Sequence, residues 1–170
     1  MEAMLLHNRS CIDLKDVVMG LHWAPPPERG RLSLEPANLD AICLLLDSQA
    51  RRLEVVGPSR LANANGSVIH TGDSRTGASL WDDERVFAFL HALPPAVHSL
   101  VFGVVSRNDR PFCDVAGASC HVSDCRTEDE LLKVQLTSLG PLTEYWVATL
   151  QRNPCGWVMR RGAPQGTGGE

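Results

Sequence analysis

The chain has 170 residues, of which 44% are hydrophobic and 21% are charged, a composition typical of a single folded domain. Its net charge of −4 and its scattered basic residues argue against a nucleic-acid partner, because phosphate recognition requires a positive patch. The stretch 1–16 has an acid at position 2 and a short apolar run, so it predicts neither a signal peptide nor a membrane span, and we expect a cytoplasmic protein with reduced thiols at its six cysteines.

Ten short apolar segments, separated by Gly, Pro and Asn, predict β-strands. In chain order they span 16–23, 39–47, 53–57, 66–72, 84–90, 99–106, 112–123, 131–136, 144–152 and 156–162. Within the seventh segment, the even positions from 116 to 122 are small or apolar, whereas the odd positions include Ser119 and His121. This alternation is typical of a strand with one buried face. No segment has helical periodicity over four turns.

Many short strands at this spacing predict an all-β fold, a β-sandwich of two sheets. The segment 24–31, APPPERGR, is expected to be a surface loop, because proline cannot donate to a sheet. The glycine-rich end of the chain is expected to be flexible. The predicted organisation is therefore one domain over 1–162 and a flexible tail over 163–170.

The segment 72–85, GDSRTGASLWDDER, concentrates acidic residues in one loop. Its carboxylates are those of Asp73, Asp82, Asp83 and Glu84. Without a cation, crowded carboxylates repel one another by about 1 kcal/mol or more per close pair. Ca²⁺ takes roughly six to eight oxygen ligands from carboxylates, carbonyls and water, and the glycines of this loop allow carbonyls to turn inward. The loop therefore predicts a Ca²⁺ site.

Other interpretations of the loop fit the residues less well. An EF-hand would require an acid or Asn at Arg75 and a glycine at Ala78. Mg²⁺ prefers fewer protein ligands in strict octahedral geometry, and Zn²⁺ prefers Cys or His, of which only His70 is near. A solvated acidic loop with no ion, or acids at the start of a short helix, remain alternatives.

The sequence gives little support to several other chemistries. The cysteines at 113, 120, 125 and 155 lack the spacing of zinc ligands and are expected to be buried, inert thiols. A hydrolase is disfavoured because the chain has no G-x-S-x-G motif, and GDSRTGAS lacks the Gly-Lys-Ser/Thr of a phosphate-binding loop. The prediction is a protein that is not an enzyme.

Six stretches together resemble the TerD family of tellurium-resistance and stress-response proteins. They read WAPPP, NLDAICLLLD, GSVIHTGDSRTGASLWDDERV, LPPAVHSLVFGVV, FCDVAGASCHV and GWVMRRG, and the similarity extends over about 17–162. The resemblance implies a two-sheet β-sandwich with Ca²⁺ bound in loops at one end. It also implies a cytoplasmic bacterial protein without established catalytic activity.

The resemblance assigns the cation ligands residue by residue. They are Asp40, Asp73, Ser74, Gly77, Asp82, Asp83 and Glu84. Several positions depart from the family pattern, because Ala78-Ser79-Leu80-Trp81 replaces a Glu-Gly-x-Gly stretch, Asn38 replaces an aspartate, and Ala24 follows Trp23 in place of another aspartate. Fewer negative ligands predict a weaker site, with one or two ions.

The expected function is that of a Ca²⁺-ordered interaction scaffold in a tellurite-resistance or general stress response. Its partners are expected among other stress-response proteins, including those of a membrane-associated assembly. Two alternatives stay open. One is a divergent interaction protein that has lost its metal, and the other is a metal-dependent enzyme that would use His70 as a base.

Overall fold

The structure, a computed structural model, describes residues 13–25, 37–74 and 82–164. These residues form ten β-strands: β1 (Asp16–His22), β2 (Leu39–Leu46), β3 (Arg52–Val56), β4 (Val68–His70), β5 (Glu84–Phe89), β6 (Ser99–Ser106), β7 (Ser119–Asp124), β8 (Glu130–Gln135), β9 (Glu144–Asn153) and β10 (Gly156–Arg161). Three short 3₁₀ turns, Leu90–Ala92, Phe112–Asp114 and Leu136–Leu139, are the helical elements of the described ranges. None of them has the length and hydrophobicity needed to cross a membrane.

The strands form two five-stranded sheets in which every strand pair is antiparallel. Sheet I has the order β4-β5-β1-β7-β8, and sheet II has the order β10-β9-β6-β2-β3. Apolar residues of both sheets join one continuous core. The predicted all-β fold, a sandwich of two sheets, is therefore confirmed.

Strand β1 shows how alternating side chains supply the core of the sandwich. In β1, Val17, Met19 and Leu21 are fully buried, whereas Val18 and His22 are half-buried on the outer face. Successive residues of a strand point to opposite faces, so each strand supplies one apolar row to the interior. Each large apolar side chain that is fully buried stabilises the fold by about 1.5–3 kcal/mol.

One predicted strand is partly wrong. The segment 112–123 begins with a 3₁₀ turn, and its strand starts only at Ser119. Phe112 is buried in the core while Cys113 and Asp114 are exposed, and Gly117 adopts a φ of +66°. The chain thus anchors one aromatic ring and then turns before it enters the sheet. The other nine strands lie within two residues of their predicted ends.

The two sheets come together at the end of the sandwich where β2 and β5 begin. The second residue of β2, Asp40, and the first residue of β5, Glu84, belong to different sheets. The backbone N–H of Ala41 in β2 donates a hydrogen bond of 3.0 Å to the Glu84 carboxylate. This cross-sheet contact places both acids beside the loop that follows β4.

The five cysteines of the described ranges are free thiols in different environments. Cys43 and Cys120 are buried in the core, whereas Cys113 and Cys155 are exposed. The expectation of inert, buried cysteines is thus wrong for the last two. Burial raises the pKa of the Cys43 thiol far above its ordinary value and raises the pKa of Cys120 to about 12.

We expect a thiol-selective alkylating reagent to modify Cys113 and Cys155 in the folded protein and to spare Cys43 and Cys120. The reason is that the thiolate is the reactive form and the two buried thiols are both inaccessible and protonated at a pH of about 8. Peptide mass spectrometry before and after unfolding in urea measures the difference. Modification of Cys120 as fast as Cys113 under native conditions would contradict the buried assignment.

Candidate metal centre

Three carboxylates from different parts of the chain meet at this end of the sandwich. Asp40 comes from β2, Glu84 from β5 and Asp73 from the loop after β4, and each offers an oxygen within 4.8 Å of the other two. Asp40 and Glu84 are buried, whereas Asp73 is exposed. We call these three residues the acidic group. Such a hard, all-oxygen arrangement matches the ligand preference of Ca²⁺ or Mg²⁺ rather than Zn²⁺.

The Glu84 carboxylate is fully buried and accepts hydrogen bonds from three segments. Its Oε1 atom accepts from the Ala41 backbone N–H at 3.0 Å and from His70 Nε2 at 2.9 Å. Its Oε2 atom accepts from the Ser74 backbone N–H at 3.2 Å. Glu84 therefore joins sheet II, β4 and the following loop to the first residue of β5.

His70 is held in one tautomer by its neighbours. The Gly72 backbone N–H donates to His70 Nδ1 at 2.8 Å, so Nδ1 carries no proton and Nε2 donates to Glu84. The imidazole is fully buried and neutral in this arrangement. It consequently orients Glu84 without cancelling the negative charge of the acidic group.

Burial dominates the acid–base behaviour of Glu84. Desolvation raises the pKa of its carboxyl above the ordinary value, and the hydrogen bonds from His70, Ala41 and Ser74 oppose that rise only in part. Ionised Glu84 therefore has a higher free energy here than in water. A cation among the three carboxylates would remove that disadvantage.

Asp40 has one oxygen engaged and one free of hydrogen bonds. Its Oδ2 atom accepts from Nε of Arg107, which lies beyond the end of β6, whereas its Oδ1 atom is buried without a hydrogen-bond partner. Buried carboxylate oxygens without partners are uncommon because their desolvation goes uncompensated. The same holds for the Oδ1 atom of Asn38, two residues earlier.

The side chains of Asp82 and Asp83 point away from the acidic group. Asp82 Oδ2 accepts from His121 Nε2 at 2.9 Å and from Arg85 Nε at 3.0 Å, on the outer face of sheet I. Asp83 Oδ2 accepts from the Trp23 backbone N–H at 3.0 Å and lies 3.1 Å from His22 Nδ1. Neither acid joins the acidic group in the ranges that the structure describes.

The surroundings of Asp82 explain its acidity. Burial opposes ionisation, but the hydrogen bonds and charges of His121 and Arg85 outweigh burial and hold the pKa of Asp82 below its ordinary value. Gly20 lies directly beneath this pair, because a Cβ atom there would overlap His121 Nε2 and the Asp82 carboxylate. Asp82 and His121 thus rest against the backbone of β1.

A comparison with protein families matches the TerD domain over residues 5–169. The chain belongs to the TerD domain family. Among its relatives, the tellurium resistance protein TerZ of Serratia marcescens is 34% identical over 85% of this chain and 77% of its own length. The tellurium resistance protein TerD of an Alcaligenes species is 30% identical over 90% of this chain and 82% of its own length.

A solved structure supports the same assignment. The crystal structure of a homologue of telluride resistance protein (TerD) from Streptomyces coelicolor A3(2) superimposes with a TM-score of 0.78 and 26% sequence identity. The match covers 89% of each chain. The resemblance drawn from the six sequence stretches is therefore confirmed, and so is the TerD-type sandwich.

The residues predicted as cation ligands do not all lie together in this TerD-domain protein. Asp40, Asp73 and Glu84 lie together, and Ser74 contacts Glu84 through its backbone N–H. Asp82 and Asp83 point away, and Gly77 lies outside the described residues, as do Ala78-Ser79-Leu80-Trp81. The sequence did not predict that His70 and Arg107 belong to the site. His70 was considered only as a candidate base, and Arg107 was given no role.

We expect the substitution His70→Leu to lower the free energy of unfolding by about 1–3 kcal/mol, because it leaves the partly buried Gly72 N–H and part of the buried Glu84 carboxylate without hydrogen bonds. Urea titration in excess EGTA measures this without any contribution from a bound cation. The matched control is His98→Leu, at a histidine whose side chain makes no hydrogen bond to the described residues. Equal effects of the two substitutions would show that His70 does not support Glu84.

We expect Gly20→Ala to destabilise the protein by about 1–3 kcal/mol, since the added methyl group must displace His121 and Asp82. Combined with His121→Ala, the same substitution should cost markedly less, because the overlapping ring is gone. A double-mutant cycle of unfolding free energies measures the coupling between the two positions. Strictly additive effects would contradict the described contact.

Proposed function

We propose that this TerD-domain protein binds Ca²⁺ through the acidic group of Asp40, Asp73 and Glu84. The observation that carries the proposal is the close approach of three carboxylates, two of them buried, around an Asp40 oxygen that has no hydrogen-bond partner. Buried acceptors of this kind ordinarily find a donor, a water molecule or a metal ion. The arrangement therefore favours a cation site over an adventitious gathering of surface acids.

Electrostatics supports the same conclusion. Two unit charges 4.8 Å apart repel by about 3 kcal/mol at an effective dielectric constant of about 20. Arg107 neutralises Asp40 from one side only, and the described tautomer leaves His70 uncharged. A divalent ion offsets the repulsion among all three carboxylates at once.

The donor chemistry favours calcium. An ion with metal–oxygen distances of about 2.4 Å would reach oxygens up to about twice that distance apart, and the oxygens of the acidic group all lie within 4.8 Å of one another. Asn38, which stands at an aspartate of the family pattern, has a buried Oδ1 atom without a hydrogen-bond partner, and an amide oxygen is a ligand that Ca²⁺ accepts. Water or backbone carbonyls would complete a coordination number of six to eight.

The proposed role is binding rather than turnover. His70, the base that a metal-dependent enzyme would use, is fully buried with both ring nitrogens in hydrogen bonds. The two relatives described above carry the name tellurium resistance protein, and on that likeness we assign this chain to a tellurite or general stress response. A cytoplasmic location is part of the same proposal. Calcium would order the loop end of the sandwich as a surface for other stress-response proteins, including membrane-associated ones.

Calcium should raise the thermal unfolding midpoint of the chelator-stripped protein. At a free concentration of about 100 times Kd the stabilisation is about 2.7 kcal/mol, and each kcal/mol corresponds to roughly 2–4 °C for a chain of this size. The substitution Asp73→Asn should weaken the shift strongly and leave the midpoint in EGTA nearly unchanged, because Asp73 is exposed. Isothermal titration calorimetry with Ca²⁺ and with Mg²⁺ identifies the preferred ion.

Two matched variants sharpen this test. Asp129→Asn removes an exposed acid far from the acidic group and should bind Ca²⁺ like the wild type. Asp82→Asn should also retain binding, since the Asp82 carboxylate is occupied by His121 and Arg85. Absence of Ca²⁺ uptake by the wild type at millimolar concentration would refute the calcium site and favour the metal-free interaction protein.

A further inference from the structure

The outer face of sheet II departs from the usual alternation of a sandwich. Leu46 and Val101 point outward from β2 and β6 and yet are 5% and 2% exposed, respectively. The Trp146 ring of β9 packs closely against Gly103 on the same face, because a Cβ atom on Gly103 would come within 2.6 Å of the ring. This face therefore carries a second apolar surface, outside the core.

Two neighbouring cavities open on this outer face. The first, which we call the arginine cavity, has a volume of about 470 Å³ and is lined by Arg160, Arg161, His98 and the hydroxyl side chains of Ser48, Ser99 and Thr149, among others. The second, the tryptophan cavity, has a volume of about 240 Å³ and is lined by Leu44, Leu46, Val101 and Trp146 together with Arg52. Together they fall in the size range of small-molecule sites.

The two cavities are adjacent because they share walls. Ala50, Ala163 and Pro164 line both of them. Two hydrogen bonds of Gly162 fix the segment that contains Ala163 and Pro164. The Gly162 carbonyl accepts from the Thr149 hydroxyl at 2.8 Å, and its N–H donates to the Val147 carbonyl at 3.0 Å. A polar compartment and an apolar compartment thus lie side by side.

The charge of the arginine cavity is positive. Its acid, Asp47, already accepts hydrogen bonds from the Gln49 and Arg51 backbone N–H groups and pairs with the Arg51 guanidinium at 3.0 Å. Arg160 and Arg161 have no acidic partner among the described residues. Arg160 pairs with Thr149 in the register of β9 and β10 and lies on the outer face with it, so its guanidinium is available for an anion, whereas Arg161 follows it in the strand and points to the other face. Guanidinium is the side-chain group that best matches phosphate geometry.

We propose that these cavities form a binding site for a soluble, amphipathic phosphate monoester. The phosphate would lie against Arg160 beside the hydroxyl groups of the arginine cavity, and the apolar body would pass Ala50 and Ala163 to pack on Trp146. The site is separate from the acidic group, because Asp40 and Asp47 lie at opposite ends of β2, about 20 Å apart. Its occupancy is independent of calcium.

The test uses n-octyl phosphate, below its micellar concentration, with the full chain in EGTA. Calorimetry should show that octyl phosphate binds at least about tenfold more tightly than either of two control compounds. Inorganic phosphate lacks the apolar body, and n-octyl β-D-glucoside lacks the charge. In ¹H–¹⁵N spectra the indole N–H of Trp146 should shift, whereas those of the buried Trp23 and Trp157 should not. Binding of the glucoside as tight as that of the phosphate would overturn the proposal.

Variants separate this site from nonspecific adsorption. The pair Arg160→Gln and Arg161→Gln, together in one chain, should weaken octyl phosphate binding about tenfold or more, and Ala163→Trp should do the same by filling the shared wall. All three positions are exposed, so the fold should be retained, as circular dichroism verifies. Arg126→Gln, which removes an exposed arginine in the turn between β7 and β8, is the control and should bind normally.

Three outcomes would refute the site. The first is wild-type affinity in the double arginine variant, and the second is binding only to phosphate-containing vesicles or micelles. The third is that octyl phosphate does not bind and that sedimentation shows a dimer of the wild type, which the substitution Ala163→Trp dissociates. That last result would identify the face as a contact between copies of the chain.

Discussion

The loop end of this molecule depends on one buried carboxylate. Glu84 begins β5 in sheet I, accepts an N–H from β2 in sheet II, and fixes the loop after β4 through Ser74 and His70. Burying an ionised carboxylate is costly unless its oxygens are well hydrogen-bonded. For Glu84 the hydrogen bonds offset that cost only in part, and the same contacts set Asp40 and Asp73 beside it. The geometry of the proposed cation site therefore follows from a contact that also joins the sheets.

Much of the fold was predictable from the sequence because local patterns determine it. Alternating apolar residues mark the strands, and turns such as Asn65-Gly66 interrupt them, with Gly66 at a φ of +71°. The segment 112–118 was not predictable in this way. Its small residues fit a strand equally well, and only the burial of Phe112 against distant strands selects a turn.

The candidate site was predictable only in part. Consecutive acids in an extended chain point in different directions, so Asp82, Asp83 and Glu84 reach His121, Trp23 and Ala41, respectively. The contacts of each side chain depend on which strands lie next to it in the fold, and the sequence of the loop does not determine that pairing. Asp40 and Arg107 are likewise separated by 67 positions in the chain and meet only through the pairing of β2 with β6. Family likeness supplied Asp40, whereas no sequence signal indicated Arg107.

The pairing of Arg107 with Asp40 fixes which oxygen of that carboxylate stays open. Arg107 holds Oδ2, and the buried Oδ1 atom has no hydrogen-bond partner. A positive side chain beside one carboxylate lowers the net negative charge of the acidic group and weakens its attraction for an added cation. Under the proposed function, Arg107 would therefore set how much free calcium is needed before the site fills.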